Sequence, residues 1–333
     1  MNSSLRESDI RPADLEQWVL AAQRREIEEQ FLDPAGGQLR ADRTVRVGCL
    51  CGRKAACQVA FSKHGFDFVS CAECGLLFVD PRPIPRALET FYGQSESERL
   101  KLEILERTFS ARQDRIFAPR AEWIATALRP SGGRLLDVGC GNGIFLELFL
   151  RRSGWEVVGV DLSSAAVDRC REKGIHAVQV TIEAFDDADG FDVVTLWEVL
   201  EHVFDPLAVL RRCRDLMRPG GALVLTTPNI GGFDYLVLGS DSSNILAPVH
   251  LNYFDLRSLT LMLERAGFSR IEVTTPGKLD VDIVRNYWQA GGTRGRHPFL
   301  ERLVLGVPET AEAFQAFLAA HGLSGSLQAV TRD

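Results

Sequence analysis

The sequence predicts an α/β fold: a doubly wound sheet of seven strands, preceded by a small cysteine-rich module and carrying helical additions. Three observations predict it. From residue 134 onward, short apolar runs alternate with segments of helical length and composition. The first of those runs ends in a glycine-rich turn, Gly139, Gly141 and Gly143. Five of the eight cysteines crowd into residues 49–74, ahead of that turn.

Residues 134–138 read as a buried parallel strand, and the apolar segment 144–150 after the glycine turn reads as a helix. Strand, glycine turn and helix N-terminus together bring backbone N–H groups and an open backbone close to a ligand. A dinucleotide site spaces its third glycine one position later, where this chain has Ile144. The second strand, 155–160, ends in Asp161, an acid placed to accept hydrogen bonds from two ribose hydroxyls. Ser163 then stands where an N-cap belongs and Gly174 where a helix-ending glycine belongs. Residues 177–180 and 191–197 are the third and fourth strands. Asp205 followed by Pro206 starts a helix that runs to about residue 218. Pro219, Gly220 and Gly221 stop it, and 222–227 form the fifth strand. Asp255 caps a helix ending at Gly267; residues 270–275 and 327–331 are the sixth and seventh strands. In such a sheet the ligand lies at the C-terminal strand ends, near the point where the winding reverses.

The tight Gly-x-Gly-x-Gly turn, with Asp137 just before it and Asp161 beyond it, resembles motif I of class I S-adenosyl-L-methionine (SAM)-dependent methyltransferases. The resemblance covers about residues 115–276 plus the final strand and implies a Rossmann-like sheet. It implies that Asp137, Gly139, Cys140, Gly141, Asn142, Gly143, Asp161, Leu162 and Trp197 surround SAM and that Ile182 and Glu183 meet the adenine.

Cys71 and Cys74 form a C-x-x-C knuckle, and Cys49 and Cys51 lie upstream of a strand-like stretch, 66–70. Two knuckles at this separation match a zinc ribbon, in which four thiolates meet the tetrahedral preference of Zn²⁺. The glycines after each knuckle, Gly52 and Gly75, let the backbone turn toward sulfur. The first knuckle is C-x-C, so the fourth ligand is either Cys49 or Cys57. Cys140, Cys170 and Cys213 are scattered and read as core residues. A ribbon running through residues 78–83 into a methyltransferase domain resembles a bacterial group of sugar, surface-carbohydrate and natural-product methyltransferases. Only about 55 residues follow the sixth strand, so the sugar C-methyltransferase assignment does not transfer.

The fourth strand runs into Glu198, Glu201 and His202, which share one face if residues 198–202 make a helical turn. His250 and Tyr253 fall in a loop, 248–254, where class I enzymes contact their substrates. One reading makes His250 a general base assisted by Tyr253. Another makes Glu198, Glu201, His202 and His250 ligands of a divalent metal, Mg²⁺ or Mn²⁺, that lowers the pKa of a substrate hydroxyl. The Glu-x-x-Glu-His pattern with a later histidine is similar to ubiquinone-pathway O-methyltransferases and small-RNA 2′-O-methyltransferases. A third reading leaves Glu201 and His202 the task of ordering the turn.

The 333 residues are 45% hydrophobic and 25% charged, enough for one large domain and one small one. Expected divisions are a helical segment (1–40), the zinc ribbon (41–86), a helical linker or lid (87–132) and the SAM domain (133–333). A helical insertion at about 277–324 either selects substrate or serves packing or dimerisation. The net charge of −7 argues against a nucleic-acid partner. No run reaches the ~18 apolar residues of a membrane span, and residues 1–14 lack the apolar core of a signal peptide. The expected location is the cytoplasm, where eight cysteines are thiols or metal ligands. The expected reaction is methyl transfer to an oxygen, or less readily a carbon, of a small-molecule or sugar acceptor, and a homo-oligomer is compatible with the chain. Rival expectations are a nucleic-acid methyltransferase that reads with its ribbon, and a SAM- or zinc-dependent interaction module without catalysis.

Overall fold

The structure is a computed structural model that describes residues 6–34, 37–51, 56–129, 131–150 and 152–332. Gly52, expected to turn the chain behind Cys51, lies outside the described residues. Helix Ala13–Phe31 comes first. Short strands follow: β1 (Thr44–Val45), β2 (Cys57–Lys63), β3 (Phe66–Cys71), β4 (Leu77–Val79) and β5 (Arg82–Pro83). Helices Pro85–Gln94 and Glu96–Arg107, then a chain of short helical turns, lead to the main sheet. Its first strands are β6 (Gly133–Val138), β7 (Trp155–Asp161), β8 (His176–Gln179), β9 (Phe191–Trp197) and β10 (Met217–Pro228). After β11 (Asn252–Tyr253), it is completed by β12 (Arg270–Thr274) and β13 (Ser326–Arg332).

The seven strands lie in the order β12-β13-β10-β9-β6-β7-β8. β6 through β10 run parallel, and β13 lies antiparallel between β10 and β12. From β6 the chain winds outward through β7 and β8, then returns to β9 and β10 on the other side. The loops leaving β6 and β9 therefore part and open a crevice at the C-terminal strand ends. Alternate residues pack the two faces. Leu136, Val158 and Leu196 meet the side covered by helices Pro206–Asp215 and Leu256–Ala266, while Leu135, Val157 and Val193 meet Ile124, Phe145 and Phe149. Buried at every position, β9 is apolar except at Asp192 and Thr195. Ser163, Asp205 and Asp255 cap their helices as their positions in the sequence imply.

Two expected elements are corrected. Residues 144–150 hold only a 3₁₀ turn, Leu146–Leu148. The segment is short, and its last bonds reach three residues back, as in Phe149 N to Leu146 O. Helix Pro206–Asp215 ends before residue 218, and Pro219, Gly220 and Gly221 lie inside β10 as an irregularity between Met217 and Ala222. Gly220, at φ +74, lets the strand absorb the extra residues instead of breaking there.

A second sheet has the order β11-β4-β3-β2, while β1 pairs with β5. The cysteine-bearing strands therefore continue directly into Asn252 and Tyr253, which the chain reaches only after β10. Phe66, Phe68 and Val79 of this sheet share a core with Ile27, Phe31, Leu251 and Tyr253. The insertion between β12 and β13 is helical, with Asp280–Gln289, Pro298–Val304 and Pro308–Ala320. No described helix is long and apolar enough to cross a membrane.

Candidate active site

Gly139 and Gly141, at φ +71 and +52, swing the chain across the strand ends after β6. A Cβ at Gly139 would meet Val199 Cγ2 at 2.6 Å, whereas one at Gly141 meets nothing within 4 Å. Gly139 thus permits a close approach, and Gly141 leaves an open side. A Cβ at Gly143 would strike Ile175 Cδ1 at 2.6 Å and Cys170 Sγ at 3.0 Å, so this glycine lets the turn pack closely on its neighbours; it lines neither of the two cavities at the turn. The Asp161 carboxylate accepts from Gly141 N at 2.9 Å and Ser163 N at 2.8 Å, tying the tip of β7 to the turn. Burial raises its pKa, against those two bonds. Asp137 accepts from Thr195 Oγ1 at 2.7 Å, and burial pushes its pKa up to about 7.

Two cavities meet at this turn. The first, ≈ 680 Å³, is lined by Gly141, Asp161, Leu162, Ile182 and Glu183, with His202 and His250 also in its wall. The second, ≈ 600 Å³, shares Gly139, Gly141 and Glu198 with the first and reaches Asp137, Cys140, Asn142 and Trp197. Asn142 Oδ1 and Trp197 Nε1 are buried with no hydrogen-bond partner. Arg120, which nothing in the sequence singled out, stacks 4.5 Å from the Trp197 ring centroid in this cavity.

Glu201, His202 and His250 present one ligand atom each within 4.8 Å of one another. Val249 O lies 2.8 Å from His202 Nδ1, and Asn244 O lies 2.8 Å from His250 Nδ1. A carbonyl only accepts, so both Nδ1 atoms carry the hydrogen and both Nε2 atoms keep a lone pair. Burial, together with Lys101, pushes the His202 pKa down to about 4; burial and His202 push His250 well below its ordinary value. Glu201 accepts from Thr227 Oγ1 at 2.9 Å, and burial, with Glu198 nearby, raises its pKa well above the usual carboxylate range.

The expected helical turn is absent. Glu198 has φ +56 and begins a tight turn in which His202 N bonds Val199 O at 3.0 Å. Glu198 is exposed and, of the four expected ligands, is the one that stands outside this three-residue group. Tyr253 is also corrected. Its hydroxyl accepts from Leu246 N at 3.2 Å and donates to His250 O at 3.0 Å, so it holds the loop instead of facing the cavity. Tyr92, within the segment expected as a helical linker or lid, donates to Val249 O at 2.9 Å beside His202.

Cys49, Cys51, Cys71 and Cys74 bring their sulfurs within 4.8 Å of one another. Cys57 pairs with Cys71 in the β2–β3 register but stays exposed and outside this group, which leaves Cys49 as the fourth member. In the first knuckle, one residue shorter than the second, Cys51 N donates to Cys49 Sγ at 3.4 Å.

A family model described as a methyltransferase domain matches residues 110–273. A ubiquinone biosynthesis O-methyltransferase of Ralstonia nicotianae is 32% identical over 171 residues, which is 48% of this chain and 70% of that protein. The chain belongs to the class I SAM-dependent methyltransferases. A second ubiquinone biosynthesis O-methyltransferase, from Xanthomonas axonopodis pv. citri, is 36% identical over 146 residues, or 40% of this methyltransferase. The match spans only 60% of that relative's own length. The phosphoethanolamine N-methyltransferase 2 of Haemonchus contortus shares the fold at a TM-score of 0.51 and 16% identity, over 80% of this chain and 64% of that one.

Proposed function

We propose that this methyltransferase transfers a methyl group from SAM to an oxygen of a small-molecule or sugar acceptor. The observation that carries the proposal is one cavity whose wall combines the glycine turn and Asp161 with His202 and His250. The O-methyltransferase activity of its relatives in ubiquinone biosynthesis supports oxygen as the acceptor atom.

The residues fit the donor. Gly141 leaves space on its open side, and Asn142 Oδ1 and Trp197 Nε1 are buried polar atoms that lack a partner until a ligand supplies one. SAM when bound supplies an electrophilic methyl group on a sulfonium. Asp161 holds the turn that cradles it, and Ile182 offers an apolar wall for a base. Calorimetry should show binding of SAM and S-adenosylhomocysteine, and Asp161→Ala should weaken it by about 1–3 kcal/mol. Affinity for NAD and none for SAM would overturn the reading.

Glu201, His202 and His250 are the reaction face. Two imidazole lone pairs and one carboxylate, each imidazole oriented by a backbone carbonyl, suit a divalent cation such as Mg²⁺ or Mn²⁺. Such an ion when bound lowers the pKa of an acceptor hydroxyl. EDTA should then stop turnover and added Mg²⁺ or Mn²⁺ restore it. Activity indifferent to chelation would leave the second reading, in which the unprotonated Nε2 of His250 takes the hydroxyl proton itself. The four-cysteine group fits Zn²⁺ in a zinc ribbon that serves structure. Elemental analysis should find about one zinc per chain.

A further inference from the structure

Cys140 and Cys170 take no part in the chemistry above, yet they sit against the methyl-donor turn. Their sulfurs are 3.8 Å apart, and either thiol can donate to the other. Cys140 is part of the turn and is among the residues lining the second cavity, while its sulfur packs inward against Gly159 and Cys170. Cys170 is fully buried on helix Ser164–Glu172, behind the turn, and its sulfur contacts Gly141 O at 3.2 Å. Gly141 N in turn bonds Asp161 Oδ2 at 2.9 Å, so the dithiol touches the backbone unit that holds the acid of β7.

We propose that Cys140 and Cys170 form an oxidation-sensitive dithiol whose conversion to a disulfide closes the methyl-donor site. The proposal rests on the SAM assignment of the glycine turn. The oxidant is a peroxide. The Cys140 sulfur attacks one peroxide oxygen, the O–O bond breaks, and the released hydroxide leaves as water with the thiol proton. The Cys170 sulfur then attacks the resulting sulfenic sulfur. The S–S bond forms as the S–O bond breaks, and the second hydroxide leaves as water with the Cys170 proton. Two sulfurs lose two electrons to one peroxide.

The step is not neutral for the turn. The sulfurs must close from 3.8 Å to about 2.05 Å. Both sulfurs are packed close against glycine backbone: a Cβ on Gly159 would lie 2.6 Å from Cys140 Sγ, and one on Gly143 would lie 3.0 Å from Cys170 Sγ. Closure therefore draws backbone with it, removes the Cys170 contact with Gly141 O and disturbs the Gly141–Asp161 bond. A bound donor rests on the turn that carries Cys140 and holds it in its reduced geometry, so oxidation and cofactor binding oppose each other.

The test treats the intact reduced protein with hydrogen peroxide, maps disulfides by mass spectrometry without reductant, and measures S-adenosylhomocysteine affinity by calorimetry. The expected result is a 140–170 linkage, an affinity loss of at least about tenfold, and recovery with dithiothreitol. Cys170→Ala, which alters a side chain facing away from the cavity, should keep its affinity through the same treatment. Wild-type protein oxidised while saturated with S-adenosylhomocysteine should lack the linkage, a result that needs no variant to fold. Absence of the linkage, a linkage with unchanged affinity, or equal loss in Cys170→Ala would overturn the proposal. Failure of the untreated reduced protein to bind S-adenosylhomocysteine would instead strike the SAM reading itself.

Discussion

Asp137 shows how one buried group writes a pH dependence into the fold. Its folded pKa is about 7 against an ordinary 3.8. Below 3.8 both folded and unfolded chains hold the proton, and burial costs nothing through this group. As pH rises toward about 7, the unfolded chain ionises first, so stability is lost at up to ~1.4 kcal/mol per pH unit. Asp137→Asn keeps an acceptor for Thr195 Oγ1 and cannot ionise. Urea unfolding should show wild type losing about 1–3 kcal/mol relative to Asp137→Asn between pH 5 and 8. Parallel stability curves would show that Asp137 is not the source. At the reaction face, His250→Ala should lower kcat by roughly 10²–10⁴-fold with SAM affinity unchanged. Glu201→Gln should be comparably damaging if a cation is held there, and mild if His250 acts alone. A His250→Ala enzyme with near-normal kcat would remove both versions and leave orientation as the whole of catalysis.

At the scale of elements, the cysteine-bearing sheet and the reaction face are one construction. β4 pairs with β11, and Asn252 of β11 donates through its backbone to Glu201 O at 3.1 Å and through Nδ2 to Val203 O at 2.8 Å. Arg82, wholly buried on β5, donates to Asn252 Oδ1 at 3.3 Å and to Phe204 O at 2.5 Å. Loosening the four-sulfur group should therefore reach Glu201 and His202 before it reaches the glycine turn. Cys71→Ser should lower zinc content and turnover together while S-adenosylhomocysteine affinity stays within about threefold, less than ~1 kcal/mol. A zinc-free protein with full turnover would separate the two elements. The knuckles were legible because ligand spacing is local. The β4–β11 pairing was not, because its partners are far apart in the chain and Asn252–Tyr253 is a strand of two residues with no periodicity to read.

For the molecule as a whole, donor binding at the strand ends should stabilise the fold by mass action. S-adenosylhomocysteine at 100 times its Kd should add about 2.7 kcal/mol. That should raise the Tm by several degrees, with NAD giving no shift. The insertion after β12 packs its own cluster, Val281, Val284 and Trp288, against Phe233 and Leu238 beyond β10. It also lends Lys278, Leu279 and Asp280 to the second cavity. The sequence left its role open between substrate selection and packing or dimerisation; the structure shows packing on Phe233 and Leu238 and three of its residues in a cavity wall.

The sequence by itself determined the alternating strands, the glycine turn, Asp161 at the tip of β7, and Cys51, Cys71 and Cys74 as a set; the folded chain added Cys49 to it and left Cys57 outside. These are short-range patterns: hydrophobic period, turn chemistry and ligand spacing survive in a linear reading. Only tertiary structure decided that Glu198 leaves the group while Glu201, His202 and His250 stay. The positive φ of Glu198 comes from the tight turn after β9, which no helical spacing rule anticipates. Only tertiary structure set the tautomers of the two histidines, since Val249 O and Asn244 O reach them from the folded loop. Tyr253 was drawn out of catalysis for the same reason. A buried hydroxyl bonds the backbone groups that packing brings to it, and here packing brought Leu246 N and His250 O.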